Sequence, residues 1–137
     1  MWVKCSSFTT QGLLGSTASA GHYTRLFFNN SSTLILYDNA NNQGLLSGLS
    51  MTTGAWHHIA VTVDSNKSAI LYVDNVGTTI ISVGGYTGSW EILQIGSIGA
   101  GSLPTSCVMD EVGFWNGTKL TAANVSTLYN GGAGLAY

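Results

Sequence analysis

Six carboxylates, three histidines and two cysteines are all that this chain offers for acid–base, metal or redox chemistry. Hydrolysis of a glycosidic bond needs two carboxyl groups about 5 to 9.5 Å apart across the sugar. Asp110 and Glu111 are consecutive in a run that reads as a strand, so their side chains point to opposite faces and cannot flank one bond. Asp64 and Asp74 fall in turns, Asp38 closes a strand and Glu91 stands alone. His57 and His58 are also consecutive in a strand-like run, and neither has further ligands at metal spacing. Serine and threonine abound, yet none sits in the sharp strand-to-helix turn that exposes a nucleophile. The chain therefore reads as a non-enzyme. Cys5 and Cys107 lie in two strand-like runs. They read as one bridge or as two buried thiols, the thiols slightly preferred because sequence alone supplies no bridge geometry.

Binding chemistry is better represented. The segments 38–44, 84–90 and 96–105 are rich in Asn, Ser and Gly, with Tyr37, Tyr86 and Trp90 in or beside them. A flat aromatic face together with amide and hydroxyl groups can hold a sugar without any net charge. The candidate ligand-binding residues are therefore Asp38, Asn39, Asn41, Asn42, Tyr86 and Trp90. Calcium needs several hard oxygens, and Asp38, beside three asparagines, is the best candidate ligand for it. Asp110 alternates with Val112 and Phe114, which predicts a partly buried carboxylate that ties neighbouring backbone amides.

The composition excludes other classes of partner. Four basic residues against six acidic ones, net charge −2, leave almost nothing to neutralise phosphates, so nucleic acid is not the ligand. No apolar run approaches the roughly 18 residues that span a bilayer, so no membrane insertion is expected. Residues 1–20 lack the charged, apolar and small-residue succession of a secretory signal. A length of 137 residues suits one domain, 1–137, with one sizeable core.

Short β-rich runs separated by Gly, Asn, Ser or Asp recur along the chain at 1–8, 22–28, 33–37, 56–63, 69–73, 78–83, 91–95 and 107–115, the pattern of an all-β sandwich or barrel. Ile59, Val61 and Val63 alternate with His58, Ala60 and Thr62, which aims one face at a core. Asp64-Ser65-Asn66-Lys67 and Asp74-Asn75 supply turn residues, so 56–83 reads as a three-stranded antiparallel meander. Near the end, Thr121 stands at an N-cap with Leu120 and Val125 placed as a hydrophobic staple, predicting one short helix over Ala122–Tyr129. Asn124 replaces the more usual capping-box Glu, and Asn130-Gly131-Gly132 offers a left-handed stop.

Five ordered motifs carry a resemblance. Trp56-His57-His58-Ile59-Ala60-Val61-Thr62-Val63-Asp64, Leu71-Tyr72-Val73-Asp74-Asn75-Val76-Gly77, Leu93-Gln94-Ile95-Gly96, Met109-Asp110-Glu111-Val112-Gly113-Phe114-Trp115-Asn116 and Leu120-Thr121-Ala122-Ala123-Asn124-Val125 are similar to those of laminin-G-like, concanavalin-A-like jelly-roll domains. Met1-Trp2-Val3-Lys4 resembles an earlier strand of that family. The resemblance implies two curved antiparallel sheets, with His58 as a packing residue beside Trp56. It further implies glycan binding or adhesion to a surface protein, calcium held in a rim loop in some relatives, and an extracellular, cell-surface or virion setting. Glucanases share the fold, but their closely spaced Glu-x-Asp-x-x-Glu pattern is absent. The family's strand upstream of Met1-Trp2-Val3-Lys4 is missing, which predicts an open sheet edge at 1–8 and hence a homo-oligomer closed by edge pairing. The expected core is Ile59, Val61, Leu71, Val73, Ile95, Val112 and Phe114.

Overall fold

The computed structural model describes residues 1–16, 23–30, 33–38, 42–46, 51–81, 93–98 and 102–135. Among the described residues ten strands and one α-helix follow in the order β1 (Trp2–Cys5), β2 (Gln11–Ser16), β3 (Thr24–Phe28), β4 (Leu34–Asp38), β5 (Asn42–Leu46), β6 (Trp56–Val63), β7 (Ala69–Val73), β8 (Val76–Ile81), β9 (Leu93–Ile95), β10 (Cys107–Asp110) and α1 (Ala122–Tyr129). They form two antiparallel sheets, ordered β10-β1-β6-β7-β8 and β5-β4-β3-β2-β9. Val3, Cys5, Ile59 and Leu71 from the first sheet meet Leu13, Leu26, Phe28 and Leu36 from the second in one core. The chain is an all-β, two-sheet sandwich with one short C-terminal helix.

Local chemistry explains the secure elements. β6, β7 and β8 form the expected meander. Asp74 (φ 47°) and Asn75 (φ 68°) are the two positive-φ residues of its second turn, the conformation whose twist suits a two-residue hairpin. In the first turn, Asp64 Oδ1 accepts the Ser68 N–H at 2.9 Å. That hydrogen bond, followed by Lys119, whose Nζ lies 3.3 Å from Asp64 Oδ2, holds the half-buried carboxyl below its ordinary value. α1 begins where expected: Thr121 caps the Asn124 N–H, and the Asn124 side chain accepts the Thr121 N–H in return. The reciprocal box thus forms with Asn in place of Glu. Asn130 (φ 46°, ψ 47°) ends the helix in the left-handed conformation.

The structure corrects several expectations. Cys5 and Cys107 face each other in the β1–β10 register and form a disulfide rather than two thiols. β1 is no open edge, being paired with β10 on one side and β6 on the other. The last strand stops at Asp110, because Glu111 takes φ 48° and leaves the sheet. The alternation expected through Phe114 is therefore broken: Asp110 is exposed, Val112 half-buried and Phe114 51% exposed. Ile95, on the three-residue edge strand β9, is 56% exposed, and it is the Oε1 of its neighbour Gln94 that is buried. Ile59, Leu71 and Val73 are core residues as expected, and Val61 packs partly against them.

Two strands went unseen in the sequence, β2 and β5. β2 contains Gly12 and Gly15, which read as loop residues. A Cβ on Gly12 would come within 2.7 Å of the Ile98 backbone, and one on Gly15 within 2.8 Å. These glycines mark a close approach of two backbones. Gln11, also buried, accepts from the Ser106 N–H at 2.7 Å and donates to the Ser7 carbonyl at 2.8 Å, joining the segments that flank both cysteines.

The disulfide closes a loop of sequence separation 102, for which the loss of unfolded-chain entropy amounts to about 4 to 5 kcal/mol. Urea unfolding of the oxidised protein against a Cys5→Ala/Cys107→Ala variant is expected to show a difference of that order. Coincident transitions would contradict the placement of the bridge.

Candidate functional site

The expected ligand residues fall into two groups. Asp38 and Asn42 are register partners at the end of the β4–β5 hairpin, so the backbone brings these two together. Asn39, Asn41, Tyr86 and Trp90 lie outside the described residues.

Next to Asp38 the second sheet carries an aromatic and cationic group that the sequence reading passed over, apart from Tyr37. Along β3, Thr24, Leu26 and Phe28 are buried, so Arg25 takes the opposite, outward face. Arg25 is the register partner of Tyr37, and Tyr37 of Gln43, which sets one row across the strands beside the hairpin. The Tyr23 and Tyr37 rings lie 5.8 Å apart and are tilted by 33°. The Arg25 guanidinium sits 4.0 Å from the centre of the Tyr23 ring, a cation–π distance. Arg25 Nε is buried and has no hydrogen-bond partner among the described residues. The result is a half-exposed platform of two tyrosines and a fork of N–H donors, bordered by Asp38 and Asn42. Such a surface can stack against a sugar ring and hydrogen-bond its hydroxyls. The available sequence signal was the strand alternation of Arg25 and Phe27 with buried neighbours.

His57 and His58 have structural partners. His57 Nδ1 lies 2.7 Å from Asp74 Oδ2, and its Nε2 accepts the Thr52 N–H at 2.9 Å. This pattern assigns the proton to Nδ1 in the neutral ring. Asp74 Oδ1 also accepts the His58 N–H at 2.9 Å, so one carboxylate clamps the β6 strand to the β7–β8 turn. His58 is 2% exposed and packs against Trp2 (5.2 Å) and Tyr129 (6.1 Å). These rings, rather than Trp56, are its packing partners. Burial, then the amino group at Met1, pushes His58 down to about 4 against the pull of Asp74.

Among the described residues no three His, Cys, Asp or Glu side chains converge on a point that could hold a metal. The side chains of Asp38 and Asn42 lie outside the described residues. Asp110 accepts the N–H of Glu111, and Glu111 accepts that of Leu135 at 3.4 Å. Both carboxylates serve the local backbone. A cleft of about 230 Å³ runs along β6, lined by Ala60–Val63, Phe114, Trp115 and Leu128 among others. Its described lining is mostly apolar.

Residues 1–126 match the laminin-G-type family model of the concanavalin A-like lectin/glucanases superfamily. With this match over most of its length, the chain belongs to that superfamily. No curated protein matches the chain.

His58 yields a pH test. Its folded value of about 4 lies below the ordinary 6.5, so between these values the unfolded chain binds a proton that the folded chain does not. Its contribution to stability is complete above pH 6.5 and is lost as pH falls towards 4, by on the order of 3 kcal/mol. Chemical unfolding at pH 7 and pH 4.5 is expected to show a smaller acid-induced loss in His58→Gln than in the parent. Equal losses would contradict the buried neutral ring.

Proposed function

We propose that the chain is a non-enzymatic carbohydrate-binding or adhesion module of a cell-surface, extracellular or virion protein. The observation that carries this reading is the Tyr23–Arg25–Tyr37 platform beside the Asp38–Asn42 hairpin, on a fold whose superfamily includes lectins. Aromatic stacking needs a flat exposed ring, and specificity comes from donors and acceptors at its border. Arg25 supplies donors, and the Asp38–Asn42 end of the hairpin supplies the acceptor and amide types. The Cys5–Cys107 disulfide suits an oxidising compartment, which supports the extracellular setting. Asn39, Asn41, Tyr86 and Trp90 remain part of the proposed rim. Calcium enters the proposal only as a component to vary, with Asp38 as its ligand.

A second reading is a structural interaction module whose ligand is a surface protein or a second copy of the chain. The uncovered apolar cleft along β6 favours it. Hydrolysis has less support, because the described carboxylates Asp64, Asp74, Asp110 and Glu111 are engaged in backbone hydrogen bonds.

A glycan array probed with and without Ca²⁺ separates these readings. The carbohydrate reading predicts selective binding that Tyr37→Ala weakens about ten-fold, the loss of one stacked ring at roughly 1.4 kcal/mol. Asp38→Ala should lower it further. Silence across the array in both buffers would contradict the reading.

A further inference from the structure

The first sheet carries a pocket on its outer face. Val3 and Cys5 of β1 belong to the core, so Trp2 and Lys4 take the opposite face of that strand. Their register partners, Asp110 and His58 for Trp2 and Val108 and Trp56 for Lys4, share that face. Trp2, Trp56, Asp110, Glu111 and the turn at 132–134 line a pocket of about 170 Å³ there. Consecutive strand residues would point opposite ways, but Glu111 leaves the sheet at φ 48°, and both carboxylates line the same pocket. Met1 is not part of the lining, so the pocket does not depend on the first residue of the chain.

Polar atoms without partners border this space. Trp2 is 6% exposed, and its Nε1 is buried with no hydrogen-bond partner among the described residues, a costly state for a donor until it meets an acceptor. A Cβ at Gly134 would stand 3.2 Å from that Nε1 and 2.9 Å from Glu111 Oε1. Both atoms therefore face the room that Gly134 (φ 69°) keeps free of a side chain. Glu111 Oε2 accepts the Leu135 N–H, and Asp110 Oδ1 accepts the Glu111 N–H, which leaves one carboxylate oxygen of each for a guest. Trp56, 42% exposed, supplies a flat apolar wall.

We propose that this pocket binds one neutral pyranose ring, stacked on Trp56, with one sugar hydroxyl bridging the Trp2 indole N–H and Glu111 and a second donating to Asp110. The bridging hydroxyl reaches Nε1 as the half-buried Glu111 side chain turns towards it. Only a group that donates and accepts at once satisfies the indole and the carboxylate together, and hydroxyls do so. An ammonium guest would leave Trp2 Nε1 without an acceptor and would meet Lys4, exposed on the same face. An anionic guest would meet two carboxylates. The volume is below the roughly 300 Å³ at which pockets for larger ligands begin, so a single ring fits rather than a chain. The inference does not rest on the Tyr23–Arg25–Tyr37 platform, which belongs to the other sheet. Together the two sites would make the module bivalent for glycans.

The test uses the full chain, labelled with nitrogen-15 and titrated with the methyl α- and β-glycosides of glucose, galactose and mannose, read at the indole N–H signals of Trp2 and Trp56. At least one glycoside is expected to shift both signals saturably. Trp56→Ala and Asp110→Asn, changes at exposed side chains, should each weaken that binding about ten-fold or more, whereas Tyr37→Ala leaves it unchanged. The proposal is overturned if no glycoside moves the Trp2 signal up to about 100 mM. It is equally overturned by binding that Tyr37→Ala abolishes and Trp56→Ala leaves intact, a result that would place the ring on the hairpin platform alone.

Discussion

The double pairing of Trp2–Cys5 is the constraint on which the rest of this sandwich depends. With β10 on one side and β6 on the other, β1 has its backbone satisfied along both edges. Trp2, Val3 and Cys5 can therefore be buried without orphaned amides. The disulfide to Cys107 ties the outer strand to it, and the indole of Trp2 supplies one wall of the pocket that buries His58. Tyr129 of the helix stacks on the same indole at 5.9 Å, so the C-terminal helix docks through this one side chain as well as through Val125.

Scarcity of charge follows the same logic. Asp74 is shared between the His57 ring and the His58 amide, and Asp64 between the Ser68 amide and Lys119. Arg25 lies on Tyr23. Each of these charges stabilises a turn or a surface, and each is placed where a neutral residue would leave a backbone group or an aromatic face uncovered. A recognition surface in such a molecule has to be built from rings, amides and hydroxyls, the groups concentrated around the β4–β5 hairpin.

Much of the fold was legible because its signals are local. Period-two alternation in β6, the Asp74-Asn75 turn and the Thr121 cap each act within a few residues, and each forms as its chemistry dictates. The illegible parts depend on distant partners. Gly12 and Gly15 read as loop until the backbone at Ser97–Ile98 is seen resting on them. Phe114 reads as core until Glu111 turns out of the strand and carries it to the lip of the cleft. The disulfide needed a register that places Cys5 opposite Cys107, which no spacing reveals. For the site, Asp38 and Asn42 were legible as candidate ligand residues of a loop, whereas the hairpin that pairs them and the Tyr23–Arg25–Tyr37 cluster arise from strand pairing and leave only a faint alternation in sequence.

Residue-resolved amide hydrogen exchange tests the central claim, that β1 is an interior strand paired on both sides. Val3 and Lys4 should exchange as slowly as Ala60 and Thr62 of the β6–β7 ladder. Fast exchange throughout Trp2–Cys5 would contradict it.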